Sequence, residues 1–385
     1  MKKSVVSIVL LLVGTFCFGN AGIFGGSGKS VTLRSTDKIQ MVSEEVNIFL
    51  CRSARPVTGG ANWLSLDKAR YQCKFQLKNL TPKPLTVKVG FPLSYDNYAI
   101  PRYNAKDADI DQAVVISKFN FIAGTQQGTY PINYVKNDQK NKYRNIFLWQ
   151  MSFKPNEIIN LNVSYEMTGY CGMGTTQKRP YKWGQYVREY LNQLDICVAE
   201  IFPYVTETGK SWSGKIESAN FKIHIDDFEK YLHERGAFED GKTIPFSRLL
   251  RYISPDNWHE KTGKKNSRTI TWQYKDFEPG PEIRITYMFC MIPNNLDDCK
   301  KIISFCKKRY LKQKNRMKLG NGRKMPEWND KMEKDIADIF LEYYGIKTNN
   351  RDIESFLSRQ RWYPGNEKRE IPADLKEYLM KLHDK

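Results

Sequence analysis

The acidic residues between positions 226 and 240 have the composition a hydrolase would need. Asp226-Asp-Phe-Glu229 and Glu239-Asp240 gather carboxylates, and glycoside hydrolysis takes two of them flanking the sugar bond. Acids between strands are more commonly a solvated loop, so no catalytic residue is assigned. Cys171-Gly-Met-Gly174 offers a glycine-flanked thiol, but the cysteine of an exported chain is more often oxidised than nucleophilic. Ile23-Phe-Gly-Gly-Ser-Gly-Lys-Ser30 closes like a phosphate loop, yet Ile23 stands where that loop needs its first glycine. Neither a buried strand before it nor a helix after it is readable, so the backbone cradle for phosphate is not expected. A flexible stretch is the alternative reading. The histidines His224, His233, His259 and His383 are scattered and the cysteine spacings match no zinc signature. No nucleotide, metal or other cofactor is expected.

Binding chemistry is easier to place. Lys178, Arg179, Tyr181, Lys182, Trp183 and Tyr186 interleave cations with aromatics, a mixture suited to stacking on sugars or bases, although Trp183 and Tyr186 would serve equally as core. From Lys300 to Lys324 there are eleven Lys or Arg and no Asp or Glu. Lys307, Lys308 and Arg309 sit in the middle of this run, which reads as a basic helix passing into a linker at Gly320-Asn-Gly322. Such a field attracts polyanions and weakens with salt. A solvated linker that only keeps the chain soluble is the competing interpretation.

The chain opens with Lys2-Lys3, an apolar run from Val5 to Phe18 and a small-residue exit at Gly19-Asn-Ala21. This is the pattern of a secretory leader over 1–21, and the run is short of the about 20 residues that span a bilayer. The expected location is therefore periplasmic or extracellular, with cell-surface association an option. The formal net charge of +19 falls by two when the leader leaves, and Cys17 goes with it, so an odd number of the 8 cysteines remains. An oxidising compartment favours disulfides. Cys51 with Cys73, Cys171 with Cys197, and Cys290 with Cys299 or Cys306 are the expected bridges. Cys299 and Cys306 on one helix would be about 10 Å apart along its axis, too far to pair.

These residues must be positioned mostly by strands. Arg70–Lys78 alternates without error, placing Tyr71, Cys73, Phe75 and Leu77 on one face. Leu85–Phe91 follows across Asn79-Leu-Thr-Pro-Lys-Pro84 and is expected to pair with it as a hairpin. Asn145–Phe153 and Ile159–Met167 repeat the period around Lys154-Pro-Asn-Glu157. An antiparallel β-sandwich over 22–175 is expected, followed by a second β-rich region over 176–292. That region is either a separate domain or a source of strands for the first, with Tyr181–Ile201 as an intervening helix. A basic helix and linker (293–326) and a helical domain (327–385) complete a mainly β chain with a small α-helical C-terminal domain. Leu296, Cys299, Ile302, Ile303 and Cys306 recur at helical spacing behind an Asn cap.

Lys38–Leu50, Val89–Leu93, Thr208–Ile216 and Phe277–Pro279, in that order, resemble a secreted bacterial family of unknown function over about residues 30–290. The resemblance implies an extracytoplasmic β-rich module and carries no catalytic residue. Asp335–Gly345, Ile353–Leu357 and Arg361-Trp-Tyr-Pro364 resemble a YARHG domain, over about 328–366. Of the five residues that name it only Gly345 is kept; Leu341-Glu-Tyr-Tyr344 replaces the rest, so no role of its Arg-His pair is inherited. Ile336, Ile339, Phe340 and Tyr343 line one helical face, Gly345 suits a positive-φ C′ position, and Trp362-Tyr363 would close the small core.

The expected function is an exported, non-enzymatic binding or scaffold protein of the bacterial envelope, whose partner is an anionic envelope polymer or membrane surface. A cell-wall hydrolase using Asp226 and Asp227 is the enzymatic alternative, and extracellular nucleic acid is the less favoured partner.

Overall fold

A computed structural model describes residues 21–26, 30–52, 67–93, 112–136, 143, 145–168, 170–175, 196–239, 242–244, 248–263, 267–280, 282–320, 327–358 and 369–384. The strands are β1 (Gly22–Gly25), β2 (Thr32–Leu33), β3 (Ile39–Cys51), β4 (Lys68–Asn79), β5 (Leu85–Leu93), β6 (Ile122–Thr125), β7 (Gly128–Thr129), β8 (Asn133–Lys136), β9 (Asn145–Phe153) and β10 (Ile158–Thr168). After these come β11 (Tyr170–Thr175), β12 (Ile196–Tyr204), β13 (Ile216–His224), β14 (Ala237–Glu239), β15 (Lys242–Ile244), β16 (Arg248–Ser254), β17 (His259–Thr262), β18 (Arg268–Phe277) and β19 (Ile283–Cys290). Helices α1 (Gln112–Lys118) and α2 (Phe228–Arg235) lie among the strands; α3 (Leu296–Gly320), α4 (Asp330–Tyr343), α5 (Arg351–Leu357) and α6 (Ala373–His383) follow them. The chain is mainly β with a helical C-terminal region.

An eight-stranded sheet in the order β17-β18-β13-β3-β4-β10-β6-β7 presents its inner face to a five-stranded sheet, β2-β1-β5-β9-β8, and a four-stranded one, β11-β12-β19-β16. Tyr71, Phe75, Leu161, Val163, Phe221 and Trp272 from the first meet Phe91, Trp149, Phe202, Tyr204 and Ile285 from the others in one continuous core. Each such side chain contributes roughly 1.5–3 kcal/mol by leaving water.

Three expectations change. β4 does not pair with β5: β4 lies between β3 and β10, while β5 lies between β1 and β9, in the opposite sheet. The connection is a corner between layers, because Asn79 Nδ2 donates to the Lys83 and Lys154 carbonyls (2.8 and 2.9 Å), tying two such crossings together. Second, the main sheet is mixed. β13 runs parallel to β3 from Ser218 opposite Ser43 to His224 opposite Phe49, so strands after residue 200 complete the first sheet. Third, Ile196–Tyr204 is a strand rather than the end of a helix. Residues 181–195 of that expected helix lie outside the described residues.

The glycine-rich start is also ordered differently from a flexible stretch. β1 sits between β2 and β5, and Ala21, counted above with the leader, is fully buried. Its carbonyl accepts the Trp212 indole N–H at 2.9 Å, and the Ile23 amide donates to Ser211 Oγ at 3.0 Å.

Register also removes the expected disulfides. Cys51 stands opposite Lys68 whereas Cys73 stands opposite Val46, five positions away along the ladder, about 17 Å at strand rise. Cys171 opposes Glu200 and Cys197 opposes Gly174, about 10 Å apart by the same measure. Both exceed the span of a disulfide. Cys51, Cys73, Cys290, Cys299 and Cys306 form no disulfide, which overturns the pairing of Cys290 with the α3 cysteines as well.

Candidate functional site

Helix α3 begins where Asn295 Oδ1 accepts the Asp298 amide at 2.8 Å, with Asp297 and Asp298 in the first turn where acids favour the helix dipole. At 1.5 Å per residue its 25 residues span about 37 Å. Cys299, Ile302, Ile303, Cys306 and Tyr310 are buried, a stripe at i, i+3, i+4, i+7 and i+11 that seats the helix in the core. Lys300, Lys301, Lys307, Lys308 and Lys312 are exposed on the other side. Lys300 and Lys307 form one row with Ser304; Lys301, Lys308 and Lys312 form a second.

The neighbouring helices hold this face in place. Lys307 Nζ lies 3.8 Å from Glu333 of α4, Lys300 Nζ stands 5.8 Å from the centre of the Tyr378 ring of α6, and Tyr310 meets Trp328 edge-on at 5.7 Å. The buried Lys314 pairs with Glu327, drawing the end of α3 to the segment before α4. α4 starts at Asn329, whose side chain accepts from the Met332 amide, and ends at Gly345 with φ +80°, as its sequence implies. Of the binding residues read from the sequence, the structure places Lys307 and Lys308 together on the open face. Arg309 turns aside, half-buried, with its guanidinium 5.7 Å from the Phe305 ring centre. Lys178, Arg179, Tyr181, Lys182, Trp183 and Tyr186, like Trp362 and Tyr363, lie outside the described residues.

Of the acids singled out for hydrolysis, Asp226, Asp227 and Glu229 are engaged with basic residues or backbone, while the Glu239 side chain and Asp240 lie outside the described residues. Glu229 receives Arg251 at 3.0 Å and Arg268 at 2.5 Å, and Glu260 receives the same two arginines at 2.7 and 2.6 Å. This closed ring ties α2 and β17–β18 to β16. Burial would raise the Glu260 carboxyl, but the hydrogen bonds from Arg268 and Arg251 outweigh it and hold the group below its usual range. Asp226 accepts the Arg268 amide at 3.2 Å, while Asp227 faces Arg52 at 3.8 Å on the surface.

Two further polar clusters escaped sequence reading. Glu44 is buried in the sandwich and accepts the Tyr204 hydroxyl at 2.8 Å. A register shift between Met41 and Ser43 reverses the phase of β3, so Ile39 and Met41 point inward before it and Glu44, Val46 and Ile48 after it. Beside this cluster the Cys73 thiol is raised well above its ordinary value, chiefly by burial and also by Glu44. The second cluster gathers Arg248, Arg369, Tyr343 and Tyr344 where β16 meets the helical region. The only sequence signal for it was the paired tyrosine before Gly345.

No protein-family model matches the chain, and no curated protein matches it. Among solved structures it is similar to a Legionella pneumophila protein described as a "putative nutrient binding protein", at 15% identity and a TM-score of 0.44, over 96% of this chain and 97% of that one. It is also similar to an M1 zinc metallopeptidase of Deinococcus radiodurans, at 8% identity and a TM-score of 0.26, over 66% of this chain and 43% of the peptidase. A two-domain form of an M1 zinc metallopeptidase bound to L-tryptophan stands at 8% and 0.26, with 44% of its length covered. The chain thus spans less than half the length of these peptidases, and none of the three likenesses is close enough to carry an activity across.

Proposed function

We propose that this is an exported, non-enzymatic binding protein of the cell envelope that docks an anionic envelope polymer on the exposed face of α3. The observation behind this reading is the division of that helix: one side is an apolar stripe seated in the core, and the other carries Lys300, Lys301, Lys307, Lys308 and Lys312. Cations on a floppy linker lose conformational freedom when they engage a partner. Those on a seated helix keep a fixed spacing and lose less on binding. Export is supported by the leader pattern of the first residues, and outside the cytoplasm the abundant polyanions are wall and envelope polymers.

The test is co-sedimentation of the leaderless chain with purified anionic wall fragments across a salt series, with anionic vesicles and duplex DNA as parallel arms. Retention on wall fragments that fades with rising salt is expected. Each lysine at an anionic surface contributes about 1 kcal/mol, so Lys307→Glu with Lys308→Glu should weaken binding roughly thirtyfold or more. Salt-insensitive retention, or none, would refute the reading. Preferential capture by vesicles or DNA would replace the partner. Turnover of labelled wall material that vanishes in Asp226→Asn with Asp227→Asn would establish the hydrolase instead.

A further inference from the structure

Strand alternation turns Tyr71, Cys73, Phe75 and Leu77 of β4 and Leu161, Val163 and Tyr165 of β10 into the core. On the outer face of the sheet this leaves Gln72, Lys74, Gln76 and Lys78 of β4 opposite Ser164, Asn162, Asn160 and Ile158 of β10, in that order. β6 adds Ile122 opposite Ser164 and Gly124 opposite Asn162. Gln72, Gln76, Asn160 and Asn162 are exposed, and their side-chain amides make no hydrogen bond to any described residue. Ile122 and Ile158, each 52% exposed, stand at opposite ends of the patch. At strand rise and strand spacing it measures about 20 Å by 10 Å.

Neither folding nor solubility asks for this composition. Asparagine is depleted in strands, because its short amide competes for backbone groups in turns, yet Asn160 and Asn162 stand two apart inside β10 with no side-chain bond to offset that. A locally disfavoured choice repeated on one face points to function. Each amide offers donors and an acceptor without charge, and two isoleucines bracket the amides, which gives the apolar contact with a few polar anchors by which ligand sites work. The patch therefore suits a partner that is uncharged, dense in hydroxyl or acetamido groups and partly apolar. A polyanion is better matched by the lysine rows of α3 than by four neutral amides, and an added peptide strand would need a sheet edge rather than a face.

We propose that this face of β4, β10 and β6 is a docking surface for a glycan strand. The amides of Gln72, Gln76, Asn160 and Asn162 bond sugar hydroxyl or acetamido groups, while Ile122 and Ile158 cover the C–H faces of rings at the two ends. An amide donates and accepts at once, as each hydroxyl requires. The strands hold the four amides at fixed spacing, so little backbone freedom is lost on binding. The surface shares no residue with α3 and does not depend on that helix holding a polyanion.

Calorimetric titration of the full leaderless chain, at low and at high salt, with the linear tetramer of N-acetylglucosamine in one arm and the glucose tetramer of the same linkage in the other, tests it. Saturable uptake of at least one, unchanged by salt, is expected, and a preference for the first identifies acetamido groups as part of what is bound. Asn160→Ala with Asn162→Ala removes two hydrogen bonds and should weaken uptake roughly tenfold or more. Gln72→Ala with Gln76→Ala should do the same, and substitutions at such exposed positions leave the fold intact. Lys307→Glu with Lys308→Glu should leave uptake unchanged, which separates this surface from the α3 reading. Absence of saturable uptake in both arms would overturn the proposal, as would uptake that survives both amide pairs or fades with salt. Self-association of the chain that is lost in the amide variants would mean that a second copy covers this face, and would overturn it too.

Discussion

A chain beginning at Asn20 should be markedly more stable than one beginning at Gly22, although they differ by Asn20 and Ala21 alone. Trp212 is 3% exposed and its indole N–H donates to the Ala21 carbonyl at 2.9 Å. Removing Ala21 leaves that donor buried without its acceptor, a loss of about 1–3 kcal/mol. It also moves a charged α-amino group onto Gly22, which pairs with Gly90 inside the five-stranded sheet. An uncompensated buried charge costs several kcal/mol after relaxation, so a combined deficit of about 3–5 kcal/mol is expected. The two chains can be released from a cleavable tag and compared by urea unfolding. The proposed export gives a parallel readout: a cut after Gly19, with Cys17 and Gly19 as the small flanking residues, would keep Ala21, and the mature mass is then expected to correspond to a start at Asn20. Equal stability of the two chains within about 1 kcal/mol, the ordinary range of a minor substitution, would refute the reasoning.

Other consequences follow from the buried polar groups. Because the Glu260 carboxyl sits below its usual range, it stabilises the fold above the unfolded value near about 4.3 and loses that contribution as pH falls through the lower folded value; Glu260→Gln should flatten the acid limb of a stability profile and cost about 1–3 kcal/mol at pH 7. Glu44→Ala should cost about 2–4 kcal/mol by stranding the Tyr204 hydroxyl and opening a cavity, while Glu44→Gln, which keeps an acceptor, should cost less; equal losses in denaturant titration would count against the bond at 2.8 Å. Cys299 and Cys306 are buried, with thiols pushed up to about 12, and Cys73 is buried too, so alkylation at pH 8 followed by mass analysis should label the partly exposed Cys51 first and the other three only on unfolding. Bridges between any of these cysteines in non-reducing mass spectra would contradict the strand register.

The sequence alone determined the local periods. Tyr71, Cys73, Phe75 and Leu77 face inward because a strand alternates, and Cys299, Ile302, Ile303 and Cys306 are buried because a helix returns every 3.6 residues. Leucine or lysine at such a position already says which side meets water, which is why the open face of α3 was legible. Pairing was not, because it depends on partners distant in the chain: β13 joins β3 across more than 170 residues, and β4 and β5 part company at a corner held by Asn79. Only that register showed the thiols too far apart to bridge. The buried Glu44 and the two arginines at Tyr343 were likewise set by tertiary structure, since one extra residue in β3 reverses a face and β16 brings Arg248 to α4 from nearly a hundred residues away. Hydrophobic periodicity is written in neighbouring residues, whereas the partners of buried polar groups are decided by the path of the whole chain.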